Sequence, residues 1–124
     1  MNNSSVALSV LDEYKNGKRF FENLYIFNES FEGKILEDIV FQDCTLYANF
    51  RNANLRNAKF QNGGIKTCDF RGADLTGARF ENLSVEGTQF ARAITSRVFW
   101  ENNFAYGSVS TQEDFESWIK DHEE

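Results

Sequence analysis

The sequence predicts a solenoid: a rod of short stacked repeats, closed by a helix at each end. Three observations carry this prediction. Large apolar residues recur at every fifth place through the middle of the chain. Small residues recur two places before them. Helical periodicity is confined to the two ends, where a stack of repeats needs caps.

The N-terminal element comes first. Residues 5–16, SVALSVLDEYKN, predict a helix with Ser4 or Ser5 as N-cap and Gly17 as C-cap. Ala7, Val10, Leu11 and Tyr14 are spaced i, i+3, i+4 and i+7, one apolar stripe. The start of the chain has no basic segment, and Asp12 and Glu13 interrupt its short apolar run, so it does not read as a secretory signal.

The repeat occupies the centre. Stepping by five from Phe50 gives Leu55, Phe60, Ile65, Phe70, Leu75, Phe80, Val85 and Phe90. Two places before these stand Ala48, Ala53, Ala58, Gly63, Cys68, Ala73, Ala78, Leu83 and Thr88, all small except Leu83. The other three places are mostly polar. A helix would need a period of 3.6 and a strand a period of 2, and neither fits. The repeat also runs backward through Leu46, Phe41, Leu36, Phe31, Ile26 and Phe21. Leu46 to Phe50 is a step of four, so one residue is missing near Tyr47, which should point outward. Phe and aliphatic residues alternate without exception from Phe21 to Phe90, so the frame survives the break. In this earlier half the small place is degraded to Cys44, Ile39, Lys34, Glu29, Leu24 and Arg19.

The segments ANLRN, ADLTG and CDFRG carry the pattern Ala-(Asp/Asn)-Leu/Phe, which resembles the pentapeptide-repeat family over about residues 19–92. The resemblance implies an all-β solenoid, a right-handed quadrilateral β-helix of about four coils. Each five residues would make one side and four sides one coil. It further implies four inward columns. Phe21, Phe41, Phe60 and Phe80 form one, and Ile26, Leu46, Ile65 and Val85 the next. Phe31, Phe50, Phe70 and Phe90 form the third, and Leu36, Leu55, Leu75 and Thr95 the fourth. The chain is read as a single domain: residues 1–18 the N-terminal cap, 19–96 the coils, 97–124 the C-terminal cap.

At the C-terminal end the run 97–108, RVFWENNFAYGS, leaves the repeat, with Phe99, Trp100 and Phe104 expected to cover the last coil. Thr111-Gln112-Glu113-Asp114 then resembles a capping box with Asp in its last place. Phe115, Trp118, Ile119 and His122 make one helical face.

Composition bounds the function. Thirteen Phe in 124 residues, with no Pro, predict a core rich in Phe. There is no apolar run of about 18 residues, so no membrane span is expected. Two cysteines without a signal suggest reduced thiols and a cytoplasmic location. The net charge of −6 argues against direct binding of nucleic acid or an anionic membrane. The charge is uneven: residues 1–47 are net −4, 48–92 net +3 and 93–124 net −5.

No catalytic, metal or cofactor site is expected. The single histidine lies in the acidic tail, and Cys44 and Cys68 have no metal-ligand spacing. Both cysteines fall at small inward places and read as core filler.

Two surface features remain as candidate partner-binding residues. One is the outward apolar set of the early coils, chiefly Tyr25, Phe27, Val40 and Tyr47, with Phe27 and Tyr47 on adjacent coils of one side. Either the N-terminal helix covers these residues or they form a partner or dimer interface. The other is a basic ladder, Arg51 and Arg71 above Glu32 and Arg56 above Glu37, read as salt bridging along the rod or as a binding surface. The leading functional expectation is a non-catalytic protein-binding scaffold, monomeric or homodimeric, such as a small inhibitor or immunity-type protein. The alternative comes from the resemblance, since some pentapeptide-repeat proteins mimic DNA and bind gyrase or other type II topoisomerases. Four coils about 4.8 Å apart span only roughly 15–20 Å, and the net-positive middle has the wrong sign for imitating phosphates.

Overall fold

The computed structural model describes residues 5–122, except for the side chain of His122. Ser4, the other N-cap candidate, and the inward face expected of His122 lie outside what is described. The chain begins with α1 (Val6–Lys15) and ends with α2 (Gln112–His122). Between them run β1 (Phe20–Glu22), β2 (Tyr25–Ser30), β3 (Val40–Gln42), β4 (Thr45–Asn49), β5 (Lys59–Gly64), β6 (Arg79–Ser84), β7 (Phe99–Glu101), β8 (Asn103–Ala105) and β9 (Ser108–Ser110).

The strands form a parallel β-solenoid of about four turns, closed by a short antiparallel β8–β9 hairpin. Register proves the coil length. Phe21 pairs with Phe41, Phe41 with Phe60, Phe60 with Phe80 and Phe80 with Trp100. On the opposite side Phe31, Phe50, Phe70 and Phe90 stack with ring centroids 5.0–5.3 Å apart and planes within 9°. Across the interior the two Phe columns meet edge to face, as in Phe50–Phe60 and Phe70–Phe80. Both are favoured aromatic geometries, so each ring is held on several sides.

The polar residues build the corners. The Asn or Asp just before a large residue accepts, through its side chain, the amide two places on. Asn49 Oδ1 takes Arg51 N at 2.8 Å, and Asp69 Oδ1 takes Arg71 N at 3.0 Å. These are Asx turns, and they explain the (Asp/Asn) of the motif. The residue two places after each large one except Leu46 has positive φ: Asn23, Asn28, Gly33, Asp38 and Asp43, then Asn52 onward in steps of five. Asn, Asp and Gly enter this region most easily, so the sequence signalled the corners, although only the core period was read.

The missing residue is a missing corner. The register between β2 and β4 shifts after Phe27–Tyr47, and Asn28 has no counterpart. No residue between Asp43 and Asn52 has positive φ. Residues 45–49 therefore run straight, with Leu46 and Ala48 inward and Tyr47 half-exposed. At an ordinary corner the small residue's amide donates to the preceding large residue's carbonyl, as Ala53 N does to Phe50 O at 3.1 Å. Ala48 follows Leu46 too closely for that. Cys68 fills the gap: its Sγ accepts from Ala48 N at 3.4 Å and lies 3.3 Å from Leu46 O.

The ends refine three expectations. The parallel ladder continues past residue 96, because β7 pairs with β6 and Trp100 takes the next place in the Phe column. Val98 is buried and Asn102 has positive φ, so the five-residue rhythm persists there. Of the three expected lids only Trp100 is fully inside. Phe99 is half-buried beneath the Arg79 guanidinium, and Phe104 points out, 42% exposed, because it lies on the outer face of the closing hairpin.

Candidate functional site

The helices close the ends of the rod, and that decides what surface stays open. Ser5 caps α1 by accepting Leu8 N at 3.0 Å. Glu29 meets the same terminus, bonding to Ser5 Oγ and accepting Ala7 N at 2.8 Å. A carboxylate at a helix N-terminus is favoured by the free amides and the dipole there. At the other end of α1, Tyr14 Oη donates to Glu37 O at 2.8 Å. Helix α1 thus lies over the first coil with Ala7 and Val10 buried, and Glu29 holds it there from one of the degraded small places.

Tyr25 and Phe27 stay open, 59% and 55% exposed. Their rings stack at 6.1 Å, 8° from parallel. Tyr47 stands edge-on to both, at 6.2 Å from Tyr25 and 5.5 Å from Phe27. The three rings form one aromatic ridge on the β2–β4 side, beyond the cover of α1. Val40 is not part of it. It sits half-buried on the neighbouring side, paired with Phe20 across β1 and β3.

The basic ladder takes different partners from those the stacking suggested. Arg71 grips Asp69 with two hydrogen bonds, 2.9 and 2.7 Å, and Arg51 Nε reaches the same carboxylate at 3.9 Å. Arg56 bonds Asp74 at 3.2 Å. Glu32 and Glu37 instead accept from Asn49 and Asn54. Burial acts to raise the Asp69 carboxyl, but the hydrogen bonds and charge of Arg71, with Arg51 nearby, outweigh it and hold it below the usual range. Asp74 is likewise lowered: burial opposes, and Thr76 with Arg56 prevails. Arg79–Glu81 and Lys66–Glu86 complete the set, so every acid between residues 48 and 92 faces a cation.

Both thiols are buried and free. Burial pushes Cys68 up to about 12 and also raises Cys44. Among the described residues no three His, Cys, Asp or Glu side chains gather as a metal site. No described helix is long and apolar enough to cross a membrane.

A parallel solenoid of five-residue sides with Asx-turn corners defines a class of repeat scaffold. A family model for the pentapeptide repeat region matches residues 20–90, and the chain belongs to that family. Among solved structures, full-length QnrB1, described as a plasmid-mediated fluoroquinolone resistance protein, is similar with a TM-score of 0.66 and 26% identity. That match covers 74% of this chain and 53% of QnrB1. A trypsin-treated QnrB1 variant matches with the same score and identity over 70% and 47%. A pentapeptide repeat protein from Nostoc Pcc 7120 has a TM-score of 0.44 and 19% identity, covering 85% and 84%. The chain thus spans about half the length of QnrB1. A comparison with curated protein sequences found no match.

Proposed function

We propose that this chain is a non-catalytic scaffold that holds a protein partner against the ridge of Tyr25, Phe27 and Tyr47. The observation that carries the reading is the ridge itself: three touching aromatic rings, Tyr25 and Phe27 open and Tyr47 half-exposed, although α1 packs beside them. Rigid aromatics expose large apolar area at low entropic cost and are the usual centres of protein interfaces. The finer assignment is a small inhibitor or immunity-type protein of the cytoplasm, acting as a monomer or homodimer. The test is capture of a partner by the wild type, repeated with Phe27→Asp/Tyr47→Asp. The double variant keeps its fold and loses the partner; each ring is worth about 2 kcal/mol or more at an interface centre. Unchanged affinity in a folded double variant would move the site to Arg51, Arg56 and Arg71.

The likeness to QnrB1 favours a second reading, a topoisomerase-directed protein of the quinolone-resistance kind. Mimicry of DNA needs free carboxylates along the rod. Here Asp69, Asp74, Glu81 and Glu86 are each engaged by Arg or Lys. The expected outcome of a gyrase supercoiling assay at micromolar protein is therefore neither inhibition nor relief of quinolone inhibition. Either effect would place the second reading first.

A further inference from the structure

One side of the rod carries open aromatic residues at both ends and small residues between them. Register fixes the column. Tyr25 pairs with Thr45, Thr45 with Gly64, Gly64 with Ser84 and Ser84 with Phe104. Tyr25 and Phe104 are therefore four strand spacings apart, roughly 19 Å, and Gly64 lies midway. The column beside it runs from Phe27 through Tyr47, Lys66 and Glu86 to Tyr106, which is 81% exposed. Val109, opposite Phe104 in the hairpin, is also open. The ridge of Tyr25, Phe27 and Tyr47 thus has a counterpart, Phe104, Tyr106 and Val109, at the far end of the same side.

Symmetry, charge and area all fit this strip to a second copy of the chain. A two-fold axis across the rod at Gly64 turns the strip end for end. Tyr25 then meets Phe104 of the second copy, Phe27 meets Tyr106, and Thr45 meets Ser84. Small residues lie at the axis and rings lie away from it, so the rings of opposite ends can reach each other. The chain as a whole carries −6, which holds copies apart. Within these two columns the charged residues are Lys66 and Glu86, paired at 4.0 Å, so the strip is neutral. At about 200 Å² per ring, Tyr25, Phe27, Phe104 and Tyr106 leave about 470 Å² open in each copy. Two copies would bury about 950 Å² from these rings alone, near the roughly 1,000 Å² that a specific interface needs. Tyr47, Val109 and the floor of the strip add to it.

We propose that this side is the contact surface of an antiparallel homodimer, in which the ridge of each copy packs on the Phe104 and Tyr106 end of the other. The proposal rests on the reading of the ridge as a protein-binding surface, and it names the protein: a second copy of this chain.

Gly64 makes the test sharp. A Cβ there would come no closer than 3.8 Å to its nearest neighbour, Ser84, so a side chain fits the lone rod. In the dimer the same side chain stands on the axis, against its own copy. Sedimentation equilibrium of the full chain at micromolar concentration should give the mass of a dimer. Gly64→Glu should fold, as judged by circular dichroism, and weaken association at least about a hundredfold, because two carboxylates meet at the axis. A second measurement fixes the register. Thr45 and Ser84 lie two strand spacings apart in one chain, about 9.6 Å, too far for a disulfide within it. Oxidised Thr45→Cys/Ser84→Cys should therefore give covalent dimers, and neither single variant should, since Cys44 and Cys68 are buried. A wild-type chain that stays monomeric overturns the proposal, as does a dimer that a folded Gly64→Glu leaves intact. So does a double cysteine variant that forms no cross-link, whether or not Gly64→Glu folds. A monomer that still captures another protein through Phe27 and Tyr47 overturns the dimer and leaves the ridge as a partner site.

Discussion

Phe70 lies between Phe50 and Phe90, 5.2 and 5.3 Å away, and is fully buried. Truncation there empties a stack that its neighbours cannot close. Phe70→Ala should cost about 3–5 kcal/mol in denaturant unfolding, whereas Gln61→Ala on the outer face should change stability by less than about 0.5 kcal/mol. Asn103 is buried yet polar, and its amide does the work of backbone. Oδ1 accepts Leu83 N at 2.9 Å and Nδ2 donates to Phe80 O at 3.0 Å. Asn103→Ala strands both groups, at about 1–3 kcal/mol for each. Thr67 is β-branched and sits at φ 59°, a corner that Asn holds at several equivalent places. Thr67→Asn should raise the thermal midpoint, by about 0.5–1 kcal/mol of added stability. Gly63 is small for a different reason: a methyl there would overlap the Cys44 carbonyl oxygen, so the close approach of two coils demands glycine.

At the scale of the element, the second coil shows how a solenoid absorbs a deletion. A corner is lost, β4 straightens, and the next coil supplies a thiol to the groups left behind. Cys68→Ala removes that thiol from Ala48 N and Leu46 O, and should cost about 1–3 kcal/mol in chemical unfolding. A loss no larger than that of an exposed substitution would show that the coil closes without it. The regular corners are also tied between coils. Asn82 Nδ2 donates to Asn62 Oδ1 at 2.9 Å, and Asn102 Nδ2 to Asn82 Oδ1 at 2.6 Å. Helix α2 is started by the reciprocal pair Thr111 N to Asp114 Oδ2, 2.9 Å, and Asp114 N to Thr111 Oγ1, 3.2 Å, the capping box read in the sequence.

For the whole molecule, the ion pairs make stability depend on acid. Asp69 and Asp74 are lowered in the folded state relative to an unfolded carboxyl near about 3.9. Their contribution is complete above the unfolded value and is lost as pH falls through the folded one. The melting temperature should therefore drop on acidification below about pH 4, and Asp69→Asn should flatten that drop. A pH profile identical to the wild type would mean that Arg71 and Arg51 contribute nothing there. A rod of this kind is stabilised by each coil on its neighbours, so a middle ring such as Phe60, between Phe41 and Phe80, rests on two coils, whereas an end ring such as Phe21 rests on one coil.

The five-residue period, the alternation of Phe with aliphatic residues and the two helical stripes are local patterns, and by themselves they determined a repeat of five and the register break near Tyr47, while the four-sided coil and its columns came from the resemblance to the pentapeptide-repeat family. Once each five residues are taken as one side of the coil, as the resemblance implies, inward and outward places follow from spacing, because each side repeats the same geometry. The corner residues were legible too, in the Asn, Asp or Gly two places after most core residues, but Thr67 and Arg92 hold the same place, so that signal is weaker than the hydrophobic period. What lies between distant segments was not legible. Spacing placed Arg51 above Glu32; only the folded coil showed that Asp69, committed to its own Asx turn, also collects Arg71 and Arg51. The sequence left open whether α1 covers Tyr25 and Phe27, since a stripe does not say which way a helix crosses. The tertiary structure decided it through Glu29 and Glu37, which hold α1 beside the ridge and leave those rings open. The strip from Tyr25 to Phe104 likewise arises from residues brought together by the coil and not by the chain.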